Sequence, residues 1–102
     1  MKVRYSAAAL ADLGGIFDFL SERNPRAASN VANSVEKVIA RIAEYPESAQ
    51  ETDAPGIRMT PAGRYPYLIF YVVQSGEVSI VRILHGARRR PWETRNEEGH
   101  ET

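Results

Sequence analysis

Two nearly unbroken apolar runs, Tyr67 to Val73 and Val78 to Leu84, separated only by Gln74-Ser75-Gly76, constrain this chain more than any other feature. Both are rich in β-branched and aromatic residues, which suit a pleated surface, and the short polar spacer ending in glycine reads as a hairpin turn. A strand that is apolar on both faces has to be covered on both, so the runs predict two interior strands of a sheet. The second run ends abruptly. From Gly76 the chain reads Gly-Glu-Val-Ser-Ile-Val-Arg-Ile-Leu-His-Gly-Ala-Arg-Arg-Arg-Pro-Trp, so core sequence empties at His85 into a cationic end that carries Arg88, Arg89, Arg90 and Trp92.

The elements before these runs are legible from periodicity and caps. Lys2 to Tyr5 reads as a short strand, and the Ser6 hydroxyl is placed to cap the alanine-rich segment behind it. Leu10, Leu13, Phe17 and Leu20 recur at helical steps and predict an apolar stripe facing the core. Gly14 and Gly15 weaken that helix by about 1 kcal/mol each relative to alanine, either as a tolerated defect or to admit a close neighbour. Asn24-Pro25 opens a second helix, in which Ala28, Val31, Val35, Val38, Ile39 and Ile42 keep a regular period until Tyr45-Pro46 stops it. Two such helices joined by a short connection make an antiparallel hairpin whose shared apolar face needs a sheet. Ile57 to Thr60 supplies a brief further strand, bounded by Pro55-Gly56 and Pro61-Ala62-Gly63. The expected fold is therefore α+β, in the order β-α-α-β-β-β, with a helical hairpin packed on a small, mainly antiparallel sheet.

Composition limits the function classes. A chain of 102 residues with 43% hydrophobic and 25% charged residues reads as one globular domain, here placed at 1–92, followed by a disordered acidic tail at 93–102. No cysteine is present, which excludes disulfides, thiolate metal sites and cysteine nucleophiles. His100 stands alone in the tail, so no metal site is expected, and no motif calls for a cofactor. Neither a signal-peptide core nor a run of about 20 apolar residues occurs, and a soluble cytoplasmic protein with no membrane partner is expected. Thirteen basic residues balance thirteen acidic ones, so attraction to an anionic partner has to come from local clusters.

The order of elements and the wording of several segments resemble the ParE/RelE superfamily of toxins from bacterial type II toxin–antitoxin modules. The segments are Ser6 to Leu13, Asn24-Pro25, Gly63-Arg64-Tyr65 and Tyr67-Leu68-Ile69-Phe70-Tyr71, and above all Val81-Arg82-Ile83-Leu84-His85-Gly86-Ala87-Arg88-Arg89, which looks like the last strand of the ParE branch. The resemblance implies a toxin held in check by a ParD-like antitoxin in a hetero-oligomer. Its ParE branch inhibits DNA gyrase without being an enzyme, and no sequence-specific DNA binding is expected. The RelE branch instead cleaves messenger RNA on the ribosome. A non-toxic orphan domain of the same fold is a third reading, since fold does not dictate function.

The two toxin mechanisms demand different residues. A metal-free ribonuclease must activate the 2′-hydroxyl, stabilise charge on the phosphate and protonate the leaving oxygen. His85 is the candidate for proton transfer here, with Arg58, Arg64 and Arg88 as candidates for the phosphate. RelE-type relatives use lysines on the middle strands and a tyrosine after the last strand. This chain has only Lys2 and Lys37, and its one aromatic after the last strand is Trp92, whose indole carries no exchangeable acid or base function at neutral pH. The gyrase-directed reading is therefore preferred, with no catalytic residue, and with His85, Arg88, Arg89, Arg90 and Trp92 as the target-binding surface.

The same residues also have plain structural readings. His85 at a strand end is as readily packed as functional, an arginine triplet is usually a solvated run, and Trp92 serves equally as a lid over the core. Arg82 among apolar neighbours predicts a half-buried ion pair with Asp12 or Asp18. Tyr65, Tyr67 and Tyr71 are expected to pack, as are Leu13, Phe17 and Leu20. Replacing Arg88, Arg89 and Arg90 together with alanine should abolish growth inhibition and shift stability by no more than about 0.5 kcal/mol per site. Growth curves and thermal melts check this, and a folded, fully toxic triple variant would place the active surface elsewhere.

Overall fold

The computed structural model describes residues 1–86, and the expectations for Arg88, Arg89, Arg90, Trp92 and the acidic tail lie outside them. In chain order the elements are β1 (Lys2–Tyr5), α1 (Ala7–Arg23), α2 (Pro25–Glu44), β2 (Gln50–Glu51), β3 (Ile57–Ala62), β4 (Tyr65–Gln74) and β5 (Glu77–His85). The strands form one sheet in the order β1-β5-β4-β3-β2, parallel between β1 and β5 and antiparallel elsewhere. The two long apolar runs are thus interior strands. The two-residue strand β2 is an addition to the expected order, and its length leaves no periodicity to read.

Both helices begin on the expected caps. Ser6 Oγ accepts from Ala9 N at 2.9 Å, and Asn24 Oδ1 accepts from Ala27 N at 3.2 Å, with Pro25 in the first helical turn. Asn24 also closes α1 through its own N–H to the Leu20 carbonyl at 2.6 Å, so one residue joins the helices.

The core lies between the helix layer and the sheet. It joins Ala9 of α1 and Val31, Val35, Ile39 and Ile42 of α2 to Tyr67, Ile69 and Tyr71 of β4 and Val78, Ile80 and Ile83 of β5. The α2 expectation holds throughout: Ala28 is also buried, and Val38 packs against the cluster half-buried. The α1 expectation needs correction. Leu13 and Leu20 pack on the core beside Ala9 and Ile16, but Leu10 is 55% and Phe17 42% exposed. The small Ala9 is the residue fully buried from α1, so the helix turns a narrower stripe inward than its apolar content suggests. Gly14 and Gly15 face open space, with no atom within 4 Å of where a methyl group would stand, so within this chain they are tolerated rather than required.

Turns and a bulge set the strand register. Ser75 and Gly76 adopt φ of 53° and 75°, the paired left-handed conformation of a two-residue hairpin turn. Tyr71 pairs with Ile80 and Phe70 with Arg82, so Val81 is the extra residue of a β-bulge. This insertion moves the inward set of β5 from Val78 and Ile80 to Ile83. The third strand runs past its expected end at Thr60 through Pro61 to Ala62, with a register irregularity between them. Proline is tolerated there because β2 covers only Arg58 and Met59, and the remainder of β3 is a sheet edge. At the β3–β4 turn, Gly63 has φ 64° and the Ser34 hydroxyl occupies the place of a side chain, which locks the turn onto α2.

Beyond Ile80 the outer edge of β5 has no strand partner among the described residues, and α1 takes over. Ser6 N donates to the Ile80 carbonyl and Ser6 Oγ to the Val81 carbonyl, both at 2.9 Å. Asp12 Oδ2 then accepts from Ile83 N at 3.0 Å and from Arg82 Nε at 2.7 Å, while Asp12 Oδ1 takes Arg82 Nη2 at 2.9 Å. Arg82 is therefore in the half-buried pair expected of it, and Asp12 rather than Asp18 is the partner. Asp12→Ala strands both a guanidinium and a backbone N–H and should cost about 2–3 kcal/mol. Asp12→Asn keeps an acceptor for Ile83 and should cost less. Chemical denaturation of the two variants checks the order.

Candidate functional site at the end of the last strand

The handover of the β5 edge to α1 leaves a groove where the strand ends. Gly15, Ile16 and Phe19 of α1 form one wall, Leu84 and His85 of β5 the other, and Tyr67 of β4 lies between them, around a cavity of about 570 Å³. The lining is mostly apolar. Its carboxylate, Asp12, is already committed to Arg82 and Ile83, and the hydrogen bond in turn holds Arg82 more firmly protonated.

The imidazole of His85 is exposed and meets the Tyr67 ring edge to face, with centroids 5.5 Å apart at 86°. The two residues are cross-strand partners, and Tyr67 is itself buried, so the pair is a rigid platform at the rim of the groove. Gly86 N donates to the Pro66 carbonyl at 2.7 Å, which fixes where the chain leaves the sheet. On the opposite rim Phe19 is 53% exposed, and the Arg23 guanidinium lies 3.8 Å over its ring. An aromatic and two ring-stacked polar groups around an apolar floor are suited to gripping a protein side chain.

Of the other residues singled out from sequence, Arg58 and Arg64 do not line this groove, and Arg88, Arg89, Arg90 and Trp92 lie outside the described residues. Arg58 of β3 pairs with Tyr71 of β4, and its guanidinium donates to the carbonyls of Ala49 at 2.6 Å and Glu47 at 3.4 Å. From the strand geometry its Cα lies about 16 Å from that of His85, two strands across and four residues along. Arg64 sits at the β3–β4 turn, beside α2 and 5.6 Å from the Tyr65 ring centroid. Tyr65 and Tyr67 pack as expected, and Tyr71, fully buried, donates its hydroxyl to the Pro46 carbonyl at 2.9 Å. Burial raises the Tyr71 pKa above that of an ordinary phenol, against the opposing pull of Arg58. No group of three or more metal-ligating side chains occurs among the described residues. No helix among them is long and apolar enough to cross a membrane.

Sequence reasoning misses the α1 wall of the groove. Its signal is present as an excess of apolar residues on α1, whose Leu10, Leu13, Ile16, Phe17, Phe19 and Leu20 cannot all face one core.

The architecture is that of the ParE and RelE toxins. A chain of the chromosomal ParDE system from P. aeruginosa superposes with a TM-score of 0.74 at 22% identity, covering 83% of this chain and 95% of that one. The isolated E. coli RelE toxin superposes at 0.62 with 14% identity, covering 95% of this chain and 96% of its own. The fold is thus the one these two toxin structures share. Residues 3–90 match the family described as the ParE toxin of the type II toxin–antitoxin system parDE, and the chain belongs to that family. It is also 37% identical over 87 residues to Toxin RelE2 of Caulobacter vibrioides, covering 85% of this chain and 97% of the relative.

The His85 side chain is exposed but meets the Tyr67 ring, so His85→Ala should leave the domain folded and lower its stability by no more than about 1 kcal/mol. Growth inhibition should fall. A variant with undiminished toxicity would remove His85 from the target surface, whatever its contact with Tyr67.

Proposed function

We propose that this toxin acts in the cytoplasm on DNA gyrase, without cleaving RNA, and is neutralised by a ParD-like antitoxin. The observation that carries the reading is that, among the described residues, neither Arg58 nor Arg64 lines the groove at His85; Arg88 lies outside those residues. Arg58 is spent on backbone carbonyls near the far edge of the sheet, Arg64 lies against α2, and His85 stands at the groove with a buried tyrosine as its ring partner. General acid–base chemistry on RNA needs a proton donor, a proton acceptor and cations around one phosphate. The match to the ParE family over residues 3–90 supports the same branch.

The groove suits a protein target better than a phosphate. It is apolar, rimmed by Phe19 and His85, and its acidic group is neutralised within the chain. Aromatic rims around an apolar pocket are typical of interface hot spots. One observation favours ribosome-dependent RNA cleavage instead: the relative at 37% identity carries a RelE name.

Supercoiling by purified gyrase should fall on addition of the purified toxin, and expression without antitoxin should induce the DNA-damage response. Co-expression with a ParD-like antitoxin should restore growth and yield a stable complex. Codon-dependent cleavage of messenger RNA in a translation assay, with supercoiling untouched, would overturn the gyrase reading and make His85 a catalytic candidate.

A further inference from the structure

The outward face of α2 is as regular as its buried face, and neither the core nor the groove engages it. Arg26, Asn30, Asn33, Lys37 and Arg41 follow at steps of four, three, four and four residues, which sets them in one line along the helix. All five are exposed. At the β3–β4 turn Arg64 joins the line, because Gly63 lets that turn sit against Ser34 of α2, and Arg64, Asn30, Asn33 and Lys37 then line one polar pocket. No carboxylate among the described residues is within ion-pair distance of Arg26, Lys37, Arg41 or Arg64. Glu44 marks the C-terminal end of the line.

We propose that this stripe is a binding track for the phosphate backbone of a single-stranded nucleic acid. Three cations and two amide donors are spread over about 22 Å of α2, with Arg64 beside them, in a protein whose formal net charge is zero. A local concentration of charge of this kind on a neutral chain addresses a linear polyanion rather than a single ion. Arginine forks and asparagine amides are the usual donors to phosphate oxygens. One exposed aromatic flanks the line: Tyr45, 60% exposed, shares a pocket with Arg41, so an unpaired base has a ring on which to stack.

The competing partners fit less well. A membrane-surface helix needs an apolar face turned outward, and the apolar face of α2 is buried in the core. An acidic protein needs an apolar interface centre, whereas the exposed large apolar side chains of the helices, Leu10, Phe17 and Phe19, all belong to α1. The track is also distinct from the groove at His85, since α2 packs over β3 and α1 over β5. It does not depend on which machine the toxin inhibits.

The test is fluorescence anisotropy of the purified full chain with labelled oligo(dT) and oligo(U) of about 12 nucleotides and a duplex of the same length, between about 50 and 200 mM salt. Single strands should bind at the lower salt, with the slope of log affinity against log salt shrinking by about 0.7 for each of Lys37→Ala, Arg41→Ala and Arg64→Ala. The Lys37→Ala/Arg41→Ala double variant should bind about tenfold more weakly at low salt. Arg4→Ala, an exposed arginine outside the stripe, should bind as the parent does, and circular dichroism should report all variants folded. Absence of binding at low salt, unchanged slopes in the three variants, or tighter binding of the duplex would overturn the proposal. So would stripe variants that keep the oligonucleotide but lose phosphatidylserine vesicles or an acidic antitoxin peptide.

Discussion

One carboxylate holds the working end of this domain together. Strand β1 covers β5 only as far as Ile80, and the strand continues for five residues with no strand on its outer edge among the described residues. Unpaired edge groups near a core are costly, and an exposed edge invites association with other chains. Asp12 closes the gap by accepting from the Ile83 N–H and from both arms of the Arg82 fork, and Ser6 covers the two carbonyls before it while capping α1. A strand edge and a helix start are thereby joined by two side chains.

The position of the groove follows from that joint. With its first turn held at Val81 and its second at Ile83, α1 runs alongside the end of β5, and Gly15, Ile16 and Phe19 arrive opposite Leu84 and His85. The bulge at Val81 contributes as well, because it brings Ile83 to the inward face beside Ile69 and leaves His85 across from Tyr67. The site is rigid for the reason the edge is closed. At the other side of the helix layer, α2 is anchored by its regular apolar stripe and by the Gly63 turn, which frees its outer face to carry charge.

Much of this is legible in the residues. The interior strands show as long β-branched runs, both caps as Ser6 and Asn24-Pro25, and the buried pair of Arg82 as a charge inside an apolar strand with two aspartates in range on α1. The ParE family, likewise, shows in the wording of its segments. Helix α1 is where periodicity misleads. Its apolar residues lie on more than one face, and spacing alone cannot tell a stripe that meets the core from one that meets solvent or a partner, so Phe17 reads as core and is exposed. Pro61 reads as the stop of β3 because proline removes a ladder hydrogen bond, and the sheet accepts it because that stretch is an edge.

Local physics, written in the order of the residues, determined the helices, the turns and the core face of α2. Only the tertiary structure decided which of two aspartates meets Arg82, that Arg58 stands away from His85, and that Arg64 comes to lie beside Lys37. These are facts about residues distant in the chain and brought together by strand register, by a single extra residue at Val81 and by the packing of one turn on one helix. Spacing along a sequence carries periodicity, but it does not carry the distance between two strands.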